Sequence, residues 1–341
     1  MPVKTAIVGY GRNGSTMHAG ALERNPNFKV AAVCDIDPNR LTQAADRFGC
    51  PVYSSLSEML AKEELDLVTI VTRSDQHAAM TCECLEAGAN VLVTKPWAVN
   101  AAEARQMIAT ADKCGKKLFP WLPSRWSPWL STLKQLLARK TIGDVFLIRR
   151  INTAFGIRND WQTEKRYGGG YLLNWGPHLV DPPLVLAGEK VQSVYSIMRQ
   201  VINPGDAEDM FMAVLTLTNG CIVQVEHTVS AESLPDWVIQ GTRGTIVVRR
   251  YEVTVHISEP QKPDDPTKYT GMTAADKQLV SKEKITGSLY GSEDEVYAAL
   301  ARTFLEGTPF PVTTADGLYL SEVLDAIRES HEAGKVVCMQ P

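Results

Sequence analysis

Two segments far apart in the chain carry the side chains best suited to moving a proton. One is Gly168-Gly169-Gly170-Tyr171-Leu172-Leu173-Asn174-Trp175-Gly176-Pro177-His178-Leu179-Val180-Asp181, where an imidazole follows a flexible glycine triplet. Asn174 lies four residues before His178 and Asp181 three after it, so hydrogen-bonding side chains flank a group that titrates near neutrality. Such a group can take the proton of a hydroxyl. The other segment is Thr94-Lys95-Pro96, an amine whose backbone is restricted by the following proline ring. A third, Gly9-Tyr10-Gly11-Arg12-Asn13-Gly14, has the spacing of a loop that cradles phosphate.

A glycine loop of this kind works only between a strand and a helix. Val3 to Val8 is a short β-branched run leading into it, His18 to Glu23 has a helical pattern, and Lys29 to Cys34 is a second apolar strand. In that βαβ unit Gly9 permits the tight turn, Gly11 lets the backbone approach a pyrophosphate, and Gly14 allows helix to pack on strand. Free N–H groups of Arg12, Asn13 and the helix start then face the phosphate charge. Asp35 closes the second strand 21 residues after Gly14, where a carboxylate accepts bonds from ribose hydroxyls and repels a 2′-phosphate. NAD is therefore the expected cofactor. The competing reading makes Asp35 a turn residue ahead of Asp37-Pro38, and Arg40 leaves NADP open as an alternative.

Asp66 to Thr72 and Asn90 to Val93 read as further buried strands with a helix, Ala78 to Ala87, between them. This alternation predicts a parallel sheet covered on both faces. Ligands bind at the carboxyl ends of such strands, and Thr72, Ser74 and His77 stand at one of them; His77 either touches the cofactor or is satisfied by backbone.

The glycine loop, Thr94-Lys95-Pro96 and the 168–181 run, in that order, resemble the glucose–fructose oxidoreductase, inositol dehydrogenase and MocA (Gfo/Idh/MocA) family of nicotinamide-dependent oxidoreductases. Thr72-Arg73-Ser74-Asp75-Gln76-His77 resembles the family's Thr-Pro-Asn-x-x-His, with Arg73 and Ser74 as departures, and Arg125-Trp126-Ser127-Pro128 resembles its Arg-Phe-x-Pro bridge. The resemblance spans nearly the whole chain. It implies that Lys95 reaches between the nicotinamide and a substrate hydroxyl, that His178 accepts the proton, and that Asn174 orients the substrate. The better-known inositol dehydrogenases have aspartate at the position of Asn174, and the family usually has glutamate at that of Thr94. Without the carboxylate, Lys95 and His178 are expected to have lower pKa values. The implied reaction is NAD-dependent oxidation of a secondary alcohol on a sugar, glycoside, cyclitol or related polyol, or the reverse. Redox-neutral glycoside cleavage and a non-catalytic nucleotide-binding regulator are the alternatives.

The implied fold is an α/β Rossmann domain over residues 1–122, then an α+β domain over 123–341 that holds substrate and forms a homodimer or homotetramer through a large, mostly antiparallel open sheet. The residues themselves point the same way. Val145 to Asn152, Val191 to Met198, Met210 to Leu217, Ile222 to Val229, Trp237 to Gln240 and Thr245 to Arg250 alternate like strands, with hairpin turns at Thr218-Asn219-Gly220 and Thr242-Arg243-Gly244. Helical patterns occupy Ser131 to Ala138, Glu295 to Glu306 and Leu318 to Glu332, while the polar stretch Ser258 to Gly291 reads as an insertion or mobile loop. Pro182-Pro183 either kinks a helix begun at Pro177 or follows Asp181 acting as the cap of a new one. Trp121, Trp126 and Trp129 suit interdomain packing better than sugar stacking. Arg125, Trp161 and Lys165 are candidates for the substrate wall, with Arg158 and Arg166 weaker ones.

At 341 residues the chain exceeds what one hydrophobic core usually serves. A net charge of −4 without a long basic block argues against nucleic acid or an anionic membrane as partner. Seven scattered cysteines show neither a zinc spacing nor a disulfide framework, so no metal is expected. No apolar run approaches the roughly 18 residues of a membrane span, and the first strand leaves no room for a signal peptide, so a cytoplasmic protein is expected.

Overall fold

The computed structural model describes residues 1–258, 265, 267–269, 271 and 278–339, with only the backbone at Val280. Strands β1 (Val3–Val8), β2 (Phe28–Cys34), β3 (Val52–Tyr53), β4 (Leu67–Ile70), β5 (Asn90–Val93) and β6 (Leu118–Pro120) form a parallel sheet in the order β3-β2-β1-β4-β5-β6. The order reverses between β1 and β4, which opens a crevice at their carboxyl ends. β4 is buried throughout and β1 at every position but one, because helices cover both faces.

Those helices are α1 (Ala19–Arg24), α2 (Pro38–Phe48), α3 (Leu56–Lys62), α4 (His77–Glu86) and α5 (Ala101–Cys114). Side chains of Asp37, Ser55 and Asn100 cap the starts of α2, α3 and α5, satisfying N–H groups that the helix leaves free. The first helix departs from expectation: the chain is helical from Arg12, and a π turn over Gly14–His18 precedes α1.

The second unit starts with α6 (Pro128–Ala138), β7 (Val145–Ala154) and α7 (Tyr171–Ala187), followed by β8 (Val191–Arg199), β9 (Met210–Leu217) and β10 (Ile222–Val229). β11 (Trp237–Gly241), β12 (Gly244–Arg249), β13 (Glu252–Ile257) and β14 (Gln278–Lys284) come next, then α8 (Glu293–Leu305), α9 (Thr314–Ala333) and β15 (Val337–Cys338). Among the described residues its sheet has nine strands in the order β14-β13-β12-β11-β7-β10-β9-β8-β15, parallel only between β7 and β10. The Ser258 to Gly291 stretch is therefore not all insertion: residues 278–284 pair with β13, and Leu289 is buried. Residues 259–264, 266, 270 and 272–277 of that stretch lie outside the described residues.

α7 and α9 pack on one face of this sheet. The opposite face carries the cross-strand row Tyr195, Val214, Gln224, Arg149, Val238 and Val247. α7 runs through Pro177, Pro182 and Pro183 as one helix, so the alternative in which Asp181 caps a new helix does not occur. Interior prolines cost about 3 kcal/mol each. Burying Leu172, Leu173, Leu179, Val180 and Leu184 returns roughly 1.5–3 kcal/mol apiece, enough to hold the helix together.

The apolar interior is not divided into one core per unit. A single cluster runs from Val3 and Ile7 through Trp121, Trp129 and Tyr297 to Val225 and Ile239, and a second covers the other face of the first sheet. α8 and α9 pack on α1 and α5, which is why the cluster crosses between the two sheets.

Candidate functional site

The crevice at the β1–β4 switch point continues into a cleft of about 780 Å³ walled by both units. That volume lies within the usual range of ligand sites, on the order of 300–1,000 Å³. Gly9, Gly11, Arg12, Asn13 and Asp35 line one end; Lys95, Asn174 and His178 line the other. A Cβ on Gly14 would overlap the carbonyl oxygen of Gly9, so only glycine lets the helix start this close to the turn. First-turn N–H groups without intrahelical partners suit a pyrophosphate there.

Asp35 accepts from the N–H groups of Tyr10 (2.6 Å) and Asp37 (2.9 Å), which fixes the glycine turn against the end of β2. The Arg40 guanidinium stands 3.5 Å from the Asp35 carboxylate and close over Gly11. The cleft thus fits NAD, with donors at the phosphate end and an acid at the ribose end. Arg40 is the group that would meet a 2′-phosphate. Arg40→Ala should widen the preference for NAD over NADP by roughly tenfold, the worth of one charged hydrogen bond. Calorimetric titration with both cofactors checks this, and an unchanged ratio would remove Arg40 from the ribose site.

At the other end Lys95 Nζ donates to Asn174 O (2.8 Å) and to Asn174 Oδ1 (2.6 Å). Burial first, then the charges of Arg158 and Arg12, lowers the Lys95 pKa to about 7. His178 Nδ1 lies 2.7 Å from Ser124 Oγ, and burial followed by Lys95 and Arg150 holds its pKa well below the usual range. No carboxylate contributes to either shift, consistent with an amide at position 174.

Several elements aim these groups. The N-terminus of α7 is held by Glu208, which accepts from Tyr171 N at its carbonyl (2.9 Å) and from Leu172 N at its carboxylate (3.0 Å). Gly170 lies at φ +100°, and a Cβ there would strike that carboxylate. Lys95 leaves β5 through a cis peptide to Pro96, and Thr94 Oγ1 donates to Ile70 O (2.9 Å).

Thr72, Ser74, Arg158 and Trp161 also line the cleft, but His77, Arg125, Lys165 and Arg166 do not. His77 is buried, with its ring nitrogens 2.7 Å from Pro96 O and 3.1 Å from Thr72 O; its ring N–H donates to a backbone carbonyl and braces the strand end beneath Lys95. Arg125 is no substrate wall: it pairs with Asp181 (2.6 Å) and Asp316 (3.1 Å). Asp181 is thereby a buried structural anion rather than a helix cap. Lys165 and Arg166 stand off the cleft, and the Arg166 side chain pairs with Glu164 (2.6 Å). Trp121 and Trp129 are buried in interdomain packing, although the edge of Trp121 reaches the cleft.

Ser124, Trp175 and Tyr290 were not singled out from the sequence. Tyr290 lines the cleft beside Trp175 and His178, with ring centroids 5.6 and 5.5 Å away, and its hydroxyl donates to Asn152 Oδ1 (3.0 Å). Behind it Arg150 is enclosed by Trp129 and Trp237 at 4.7 and 5.0 Å. No spacing rule links these residues to His178; they arrive from other elements.

Comparison with known proteins agrees with this geometry. Residues 3–121 match the oxidoreductase family with an NAD-binding Rossmann fold, and residues 130–247 match the Gfo/Idh/MocA C-terminal domain. The scyllo-inositol 2-dehydrogenase (NADP(+)) IolW of Bacillus subtilis (strain 168) is 23% identical, over 99% of this chain and 96% of that protein. An NAD-binding protein from Listeria innocua superposes with a TM-score of 0.84 at 25% identity, covering 99% of this chain and 97% of that one. The WlbA dehydrogenase of Bordetella pertussis, solved with NADH and UDP-GlcNAcA, gives 0.82 at 20% identity over the whole of both chains.

Proposed function

The chain belongs to the Gfo/Idh/MocA family of NAD-binding oxidoreductases, and from that premise we propose that it oxidises a secondary alcohol of a sugar, glycoside, cyclitol or related polyol, or runs the reverse reduction. The observation that carries this reading is that one cleft joins the glycine loop to a lysine of pKa about 7 and a neutral histidine. A relative named for an inositol and a structural neighbour solved with UDP-GlcNAcA support a polyhydroxylated substrate.

Bound NAD would supply the two-electron acceptor, held by Gly9, Gly11, Arg12, Asn13 and Asp35. The protein must remove the hydroxyl proton. His178 is the acceptor expected from the sequence, but its depressed pKa makes it a weak base. Lys95 titrates near the working pH, where a general base is most effective, so the neutral amine of Lys95 takes the proton. His178, oriented by Ser124, hydrogen-bonds the same oxygen, and Asn174 keeps Lys95 Nζ in place.

Screening polyols, sugars and glycosides for NADH absorbance tests the reading. Steady NADH production is expected; release of an aglycone without net NADH would replace it with redox-neutral glycoside cleavage.

Asn174→Asp probes the local electrostatics. A carboxylate beside Lys95 favours the ammonium form, so the limb near pH 7 along which oxidation accelerates should move upward by about one unit or more. With chemistry rate-limiting, a limb that stays or moves down would mean that another group titrates.

The exposed sheet face bearing Tyr195, Val214 and Val238 supports assembly into a homodimer or homotetramer, which light scattering would measure. No described helix is long and apolar enough to cross a membrane.

A further inference from the structure

The charges at the reacting end of the cleft do not balance. Lys95 and Arg158 line it, the charge of Arg12 reaches the lysine from the nucleotide end, position 174 holds a neutral amide, and Asp160, the acid beside Arg158, does not stabilise the lysine ammonium. Arg12 is accounted for by a pyrophosphate at the glycine loop, which leaves Arg158, whose fork meets Asp160 at one nitrogen only.

Arg158 is anchored rather than adrift on its loop. Its N–H donates to the side-chain oxygen of buried Asn203 (2.8 Å), and Asn203 N in turn donates to the buried Asp209 carboxylate (2.7 Å), which also accepts from Val201 N and Ile202 N. The neighbours Phe155 and Ile157 are 69% and 74% exposed, whereas the Arg158 side chain is only 24% exposed at the cleft wall. Its one side-chain partner among the described residues is Asp160, at 3.1 Å through a single nitrogen. A guanidinium has five N–H donors in a fixed fork, matched to the two oxygens of a carboxylate. Placing such a group on a rigid support beside the reacting lysine has a cost in like-charge repulsion unless an anion joins it.

We propose that Arg158 is a specificity residue that seats a carboxylate of the substrate, making the preferred ligand an acidic polyol such as a uronic or aldonic acid. The inference rests on the polyol reading above. With one nitrogen on Asp160, the rest of the fork suits a single further negative charge, and Asp160 opposes the second charge that a phosphate would bring.

The test uses full-length protein loaded with NAD and matched probes: glucuronate against glucose, galacturonate against galactose, gluconate against glucitol, and glucose 6-phosphate for the phosphate source. At least one acid should bind about tenfold or more tighter than its neutral partner by calorimetry. Arg158→Gln should erase that difference without changing NAD affinity, and Arg158→Lys should restore part of it. Asp160→Asn should strengthen binding of the phosphate more than of the carboxylate. Equal binding within every pair, or a preference that survives Arg158→Gln, overturns the proposal, as does a phosphate preferred over every carboxylate. Arg158-dependent binding of an acid without NADH formation from any probe would uphold the carboxylate seat while counting against alcohol oxidation.

Discussion

Lys95→Met is expected to lower turnover by about a hundredfold or more, with NAD affinity nearly unchanged. Methionine keeps most of the stem but removes the amine that meets Asn174 O and Oδ1. The nucleotide end stays intact because Gly9, Gly11 and Asp35 lie at the far end of the cleft. Steady-state rates paired with calorimetric NAD titration check both halves. A near-native rate would sink the assignment of Lys95 as proton acceptor, and a lost cofactor affinity would show that the lysine serves binding instead.

Arg125→Met is expected to destabilise the fold by about 3–5 kcal/mol, since it strands a buried carboxylate. Asp181 is 5% exposed, and Arg125 is the cation that holds it and Asp316 together across the linker, α7 and α9. Burial already raises the Asp181 pKa, Arg125 opposes that rise, and its loss raises the value further. A folded-state pKa above the unfolded one means that the folded form binds the extra proton. The deficit should therefore be largest at neutral pH and shrink as pH falls through the folded pKa of Asp181. Urea unfolding at several pH values measures this, and Arg125→Met with Asp181→Leu should recover much of the loss. A single variant as stable as the parent would refute the structural role of the cluster.

What was legible in the sequence was local. Gly9 to Gly14 followed by Asp35 gave the nucleotide end because the glycine roles depend on backbone within a few residues. The caps of α2, α3 and α5 at Asp37, Ser55 and Asn100 are equally local, each bonding an N–H two or three residues on. Long-range pairing was not legible. Arg125 reads as a substrate wall because Asp181 and Asp316 are 56 and 191 residues away, and the two readings of His77 stay open in the sequence because the carbonyl of Pro96 is invisible to spacing. Tyr290 was hidden in a stretch whose polarity suggested a loop. Local rules also failed at α7, where three prolines signal a break that surrounding apolar contacts override.

The bond from Lys95 to Asn174 joins the end of β5, in the first sheet, to α7, which packs on the second. An ångström of separation between them would admit water to the amine, and a hydrated lysine recovers its ordinary affinity for a proton. Were β5 and α7 to part near neutral pH, Lys95 would take up a fraction of a proton, and reclosure would release it. The heat of any binding event that closes the cleft should then vary with the ionisation enthalpy of the buffer. The protonation of Lys95 would then follow the separation of β5 from α7 rather than any step on the substrate.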